Sequence, residues 1–525
     1  MRGLVLPVQG YAGAVLFITA ALAQSIDPAD PVEPDVEMQA LVRVADPNHP
    51  DAIARSATHA ILAGPPASGD YIPEPVGQLE LGQWEAWEAA EAMDLSPWHE
   101  AGYQGQGVKL AVLDLQWFGS ELEADELGVF ESWDCWAQEG CTPPMDTLRP
   151  RFSYETGGHG LACAEVVRDL APQVELHIVR VNGLTTFENA IDWAIRNEID
   201  VLTLSMSFFN SSFYDGGGPA GRAVERAEEN GVLLVTSSGN YARGHYQATF
   251  NDADWDGDHD FAEGGDRLPI FLRSGRPRNV ALHWDDYGKC GDTNVDLYLY
   301  DQDGQLLDRA IRDQAGSGNC EPVERLSATV DEDQWTTLQV VASGDQNFRW
   351  NLITTGGQVE WAMPQGSVTD PGTHPLAFTV GAAPGVGYFS GVEGFSSQGP
   401  NQAGQPKPDL VAPDGLSTSV YGPTGFYGTS AASPSAAAAI AVVMSAHPAW
   451  TAREAATWIQ GQAWRPLAPT WEPPDSDIGS GYLVLPDPQD LGGCAGIGVS
   501  PGLLVLGWLM GRRKATRVAG SRLPV

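Results

Sequence analysis

The stretch Asp200-Val-Leu-Thr-Leu-Ser-Met-Ser207 is an apolar run closed by small polar residues. After an amphipathic helix over residues 219–230, Val232-Leu-Leu-Val-Thr-Ser-Ser-Gly-Asn240 repeats that pattern. A run apolar on both faces suits a strand buried between two layers, and a helix between two such strands makes them parallel. Working outward, the alternation continues on both sides. Toward the N-terminus lie a strand over 108–114, a helix over 160–170, a strand over 174–181 and a helix over 187–197. Toward the C-terminus, Phe378-Thr-Val-Gly381 resumes the strands, and an alanine-rich helix covers 435–445. The expected fold is α/β, a parallel sheet flanked by helices.

The pattern breaks after Asn240. Residues from about 250 to 360 are polar and strand-like, and Asn294-Val-Asp-Leu-Tyr-Leu-Tyr-Asp301 alternates strictly before Gln-Asp-Gly, a hairpin signal. This predicts an inserted β-sandwich. The expected division is 1–23 signal peptide, 24–97 pro-segment or acidic linker and 98–249 first part of the α/β domain. It continues with 250–362 insert, 363–486 second part and 487–525 linker and tail.

Charge narrows the partners. With 29 Lys+Arg against 68 Asp+Glu, the net charge is −39. Such a field repels nucleic acid and anionic membrane surfaces, so nucleic-acid binding is not expected. Both ends read as addresses. Residues 1–23 carry only Arg2, an apolar run and the small-residue site Ala21-Leu-Ala23, the layout of a secretory signal peptide. Leu491-Gly-Gly-Cys494 precedes an uncharged apolar run over 495–510 and then Arg512, Arg513 and Lys514. As a helix that run would be about 24 Å long, slightly short for a hydrocarbon core. Export permits disulfides, and the expected pairs are Cys135–Cys141 and Cys290–Cys320, with Cys163 a buried free thiol.

Three segments carry chemistry. Gly428-Thr-Ser430-Ala-Ala-Ser-Pro434 sets Ser430 just before the alanine-rich helix, where backbone N–H groups and the positive dipole end face its oxygen. Taken alone, it reads equally as a Ser/Thr helix cap. Thr156-Gly-Gly-His159-Gly-Leu-Ala-Cys-Ala-Glu165 surrounds a histidine with small residues at a helix start. Lys109-Leu-Ala-Val-Leu-Asp114 ends a buried strand in a carboxylate, at the sheet edge where α/β ligand sites lie. Alone, Asp114 would read as a turn cap.

Together these segments, in the order Asp, His, Ser, resemble the subtilisin-like serine peptidases, the subtilases. The resemblance covers about residues 98–245 and 365–485. It implies Ser430 as nucleophile, His159 as general base, Asp114 as the group orienting the base, and Asn240 as oxyanion-hole donor. Ser205, Met206, Ser207, Ser238 and Gly239 would then bind substrate. Phe395-Ser-Ser-Gln-Gly-Pro400 and Lys407-Pro-Asp-Leu-Val-Ala-Pro413 match two further framework segments of the family. Three positions depart from it. Leu115-Gln116 replaces the Ser/Thr-Gly after the aspartate, so that turn must be built differently. His159-Gly-Leu-Ala loses a structural threonine, and Ser435-Ala-Ala-Ala replaces His-Val-Ala-Gly. The related sedolisins replace the base with a Glu–Asp pair, which a His-Gly context argues against. The insert is similar to the jelly-roll modules of many secreted bacterial peptidases, and the tail resembles myxobacterial sorting tails.

Asp252, Asp254, Asp256, Asp258, Asp260 and Glu263, with Gly257, fit a calcium-loop template, so a structural Ca²⁺ is one expectation and a solvated acidic loop the other. The chemistry itself requires no cofactor. The whole is expected to be a monomeric serine endopeptidase of a bacterial cell surface or medium, acting on proteins or peptides and touching the membrane through its tail. The alternative is an inactive subtilase-fold binding or adhesion module.

Overall fold

The computed structural model describes residues 86–118, 127–137, 140–146, 157–209, 211–261, 264–275, 277–287, 291–314, 322–465 and 475–489, with five short strands before them. The Cys290–Cys320 pairing, Glu263, the signal peptide and the apolar tail run fall outside the described residues. The short strands are β1 (Val42–Val44), β2 (Ala54–Arg55), β3 (Ala60–Leu62), β4 (Ile72–Pro73) and β5 (Gly77–Leu79). The first four form one small sheet in the order β2-β3-β1-β4.

Two helices follow, α1 (Ala86–Ala92) and α2 (Ser96–Glu100). Ala89, Met93, Leu95 and Trp98 are fully buried, so core packing begins before residue 98, where the sequence suggested that order starts. A run of acidic and alanine residues hid this short amphipathic pair.

The main sheet alternates with helices as expected. In chain order come β6 (Lys109–Asp114), β7 (Phe130–Ala137), β8 (Gly140–Thr142), α3 (His159–Leu170), β9 (Glu175–Arg180) and α4 (Leu184–Arg196). Then follow β10 (Val201–Leu204), β11 (Met206–Phe208), α5 (Gly218–Glu229) and β12 (Leu233–Ser237). After the insert come β22 (Phe378–Pro384), β23 (Leu410–Asp414), the hairpin β24 (Leu416–Thr418) and β25 (Gly422–Phe426), α6 (Thr429–Ala446) and α7 (Ala452–Gln462). Among the described residues the sheet order is β23-β22-β12-β10-β6-β9-β7-β8. Every pairing is parallel except β7 with β8, where Cys135 and Cys141 form the expected disulfide. The central strands β10 and β12 are buried along their whole length, because helices cover both faces.

Helix α6 packs on β10, β12, β22, β23 and α3. Its alanines let these backbones come close. It is long and apolar enough to cross a membrane, yet 89% of it lies inside the body, as befits a core helix.

Between Asn240 and β22 the insert builds two antiparallel sheets. One orders β13 (His245–Thr249), β20 (Arg349–Thr354), β15 (Arg278–Trp284) and β18 (Val323–Ala328). The other orders β17 (Leu306–Ala310), β16 (Asn294–Tyr300), β19 (Gln334–Ser343), β14 (Leu268–Leu272) and β21 (Gly357–Val359). Both contribute to one apolar core around Trp284, Leu297, Val340 and Trp350. Burial alternates residue by residue along β16, so its inward side chains fill that core and its outward ones do not.

Candidate active site

Asp114 ends β6, and the residues after β10 and β12 leave the sheet at the same edge, which is where a doubly covered parallel sheet opens. His159 opens α3 beside them. Its Nδ1 donates to Asp114 Oδ2 at 2.7 Å, and neither side chain has any exposed surface. The other carboxylate oxygen, Oδ1, accepts from the N–H groups of Leu115 (2.8 Å) and Gln116 (2.9 Å). Trp117 Nε1 donates to the Asp114 carbonyl at 2.9 Å, and Gly160 N to that of Gln116 at 2.9 Å. This is how the departing Leu115-Gln116 turn is built: the aspartate ties its own turn and the turn ties α3. A Cβ added at Gly160 would lie 2.6 Å from Asp114 Cβ and 2.8 Å from Trp117 Cε2, so only glycine permits the approach.

Ser430 is the second residue of α6. The sequence put the helix start later; the structure begins it at Thr429 and keeps Pro434 inside it. The Ser430 Oγ is buried and without a hydrogen-bond partner among the described residues. Its carbonyl is fixed by Ser205 Oγ at 3.0 Å and faces the Cys163 thiol at 3.7 Å. Cys163 lies one helical turn after His159. Burial, and then the Asp114 charge, raise its thiol well above the ordinary range, so it stays protonated and inert.

Asn240 Oδ1 accepts from Thr429 N at 3.1 Å and Thr429 Oγ1 at 3.0 Å. These two bonds fix the orientation of the Asn240 side-chain amide against the start of α6. Gly239 N donates to Thr429 Oγ1 at 3.3 Å. The structure thus brings Asp114 and His159 into direct contact, and joins Ser430, Ser205, Gly239 and Asn240 through the first turn of α6. Ser238 is buried, its N–H on the Val380 carbonyl at 2.9 Å. Met206 and Ser207 lie in β11, which pairs antiparallel with β5: Met206 opposite Leu79, Ser207 opposite Gln78.

Several site residues had no sequence signal. Thr429 links Asn240 to the turn that carries Ser430. Ser207 Oγ shares a 2.6 Å hydrogen bond with Thr369 Oγ1, 162 positions away. Phe426 lies edge-on to His159 with ring centroids 5.5 Å apart, and Tyr421 stacks on Phe426. Glu165 of α3 accepts from the Ser419 N–H and hydroxyl, tying that hairpin to the helix of the histidine.

The acidic loop forms two groups in place of one calcium-loop set. Asp252, Asp254 and Asp260 converge, and Asp256 and Asp258 converge with Asp266, which the template missed. The chain reverses within the loop: Gly257 N and Asp256 N both donate to Asp252, and Ala253 N donates to Asp260. His259, at the template's apolar position, is buried among Phe250, Phe261 and Trp350, and that burial lowers its pKa to about 4.

The family model described as the subtilase family, peptidase S8, matches residues 145–256 and 304–484, more than half of the chain. His159, Asn240 and Ser430 fall inside the match, and Asp114 lies before it. Among curated proteins, the minor extracellular protease Epr of Bacillus subtilis (strain 168) is 25% identical over 189 residues, covering 32% of this chain and 26% of that protein. Subtilisin DY of Bacillus licheniformis is 26% identical over 161 residues, covering 26% of this chain and 49% of that protein. The chain thus spans between a quarter and a half of the length of these relatives. In fold it is similar to the solved structure of the Clostridium perfringens CspB protease, with a TM-score of 0.52 at 14% identity, over 76% of this chain and 96% of that one. By the family match, which spans most of the α/β body and holds three of the four site residues, the chain belongs to the subtilase family.

Proposed function

We propose that the protein is a serine endopeptidase that cleaves peptide bonds through an acyl-enzyme, with Ser430 as nucleophile, His159 as general base and Asp114 orienting the base. The observation that carries this reading is the buried His159 Nδ1–Asp114 Oδ2 bond of 2.7 Å. It commits Nδ1 as a donor and leaves Nε2 as the nitrogen that takes a proton. Ser430 Oγ bonds to the scissile carbonyl carbon as its proton passes to His159 Nε2. The Asn240 amide stabilises the oxyanion so formed. The C–N bond then breaks, the amine leaves with the proton from His159, and water repeats the cycle to free Ser430.

Substrate backbone would add to β11, the edge now paired with β5 of the N-terminal segment. In this reading the part of the expected 24–97 pro-segment or linker that carries β5 is removed, and the active form has released that edge. Export, a monomeric state, and membrane contact through the tail complete the proposal, as does Ca²⁺ in the acidic loop, where close carboxylates repel one another unless a cation is present. The test is processed wild type against Ser430→Ala on denatured casein, with and without chelator. Activity in wild type and none in the variant is expected. Equal activity in both would overturn Ser430 as the nucleophile, and none in wild type would leave the inactive binding module as the better reading.

A further inference from the structure

Asp414 ends β23 and is fully buried. Its Oδ2 accepts from the Gly428 N–H at 2.8 Å, while its Oδ1 is buried without a hydrogen-bond partner among the described residues. Gly428 is the residue before α6. It stands at φ 103°, in the left-handed region, and its carbonyl accepts from Ala431 N at 3.0 Å and Ala432 N at 3.4 Å. The turn is held from two strands: by Asp414 of β23 at Gly428, and by Asn240, just past β12, at Thr429. Ser430 is the next residue.

A buried carboxyl with one unsatisfied oxygen works against folding, and an apolar side chain would suit the same space better. The contact Asp414 does make ends two residues from Ser430. We propose that Asp414 is a positioning residue for the peptidase reaction, holding the Gly428–Thr429 turn so that Ser430 is presented to His159 and the oxyanion donors. The proposal rests on Ser430 being the nucleophile.

The surroundings of Asp414 favour its uncharged form. Burial, and then the charge of Glu393, push its carboxyl well above the usual carboxylate range. Glu393 and Tyr388 face it from the loop after β22, and Tyr427 from the turn before α6; Glu88 of α1 acts on Tyr427, and Arg243 on Glu393. An uncharged carboxyl still accepts from Gly428.

The test measures how fast a fluorophosphonate ester labels the processed protein, alongside its melting temperature. Asp414→Leu fills the site without an acceptor; it is expected to melt no lower than wild type and to label about 10²-fold more slowly. Asp414→Asn keeps an acceptor oxygen and cannot ionise. It is expected to label at the wild-type rate at pH 7. Labelling of Asp414→Leu at the wild-type rate, or of Asp414→Asn as slowly as Asp414→Leu, would overturn the proposal. Should Asp414→Leu not fold, Asp414→Asn decides alone: a slow rate at pH 7 overturns it. A Ser430→Ala arm separates the premise: if that variant labels as fast as wild type, or wild type does not label, the assignment of Ser430 fails and the positioning role goes with it.

Discussion

Asp114 does two jobs with two oxygens, one holding His159 and the other closing its own turn through Leu115 and Gln116. Replacing it with alanine frees the imidazole, and kcat should fall by about 10⁴-fold with KM little changed; steady-state kinetics on casein check this. Gly160→Ala drives a methyl group into Asp114 and Trp117 and should cost about 1–3 kcal/mol of stability together with activity, as thermal melts and the same assay would show. Asp370 offers a pH test of stability. It is buried, accepts from the Ser212 hydroxyl at 2.7 Å and from that of Thr373, and burial raises its pKa to about 7. The folded state therefore holds a proton that the unfolded chain has given up, and stability drops as pH rises from about 4 to 7. Asp370→Asn should raise the melting temperature relative to wild type at pH 8 and less so at pH 4. The residues legible in the sequence, Asp114, His159, Asn240 and Ser430, each sit in a local motif. Thr369, Thr429 and Asp414 were not, because their roles are hydrogen bonds to partners distant in sequence or on one backbone N–H, and no spacing announces such contacts.

At the level of elements, the parallel strands were legible because burial on both faces leaves an unbroken apolar run. Boundaries were less so. The helix over 435–445 in fact begins at Thr429, because Asn240 and Asp414 tie down its first turn from outside the segment. The alanines of α6 mark close packing: Ala437 and Ala441 have no exposed surface. Ala441→Leu should overpack this layer and destabilise the fold by about 1–3 kcal/mol, seen as a lower denaturation midpoint. The α1–α2 pair was hidden because short helices bury few residues and show little periodicity.

Across the whole molecule, a parallel α/β body and a β insert with its own core fit the breaks in pattern on either side of the insert. Strand β13 opens the insert five residues after Asn240, so the element that follows Asn240 belongs to the second core. The net charge of −39 implies self-repulsion, concentrated in the acidic loop. If Ca²⁺ binds there, a chelator should lower the melting temperature, and Asp252→Asn with Asp256→Asn should remove the chelator's effect. The central claim, that Ser430 is the nucleophile activated by His159 and Asp114, is tested most directly by mapping the site of covalent modification. The processed protein is treated with a fluorophosphonate ester, digested and analysed by mass spectrometry. One adduct is expected, on Ser430, absent from His159→Ala protein. An adduct elsewhere, or equal labelling of the His159→Ala variant, would contradict it.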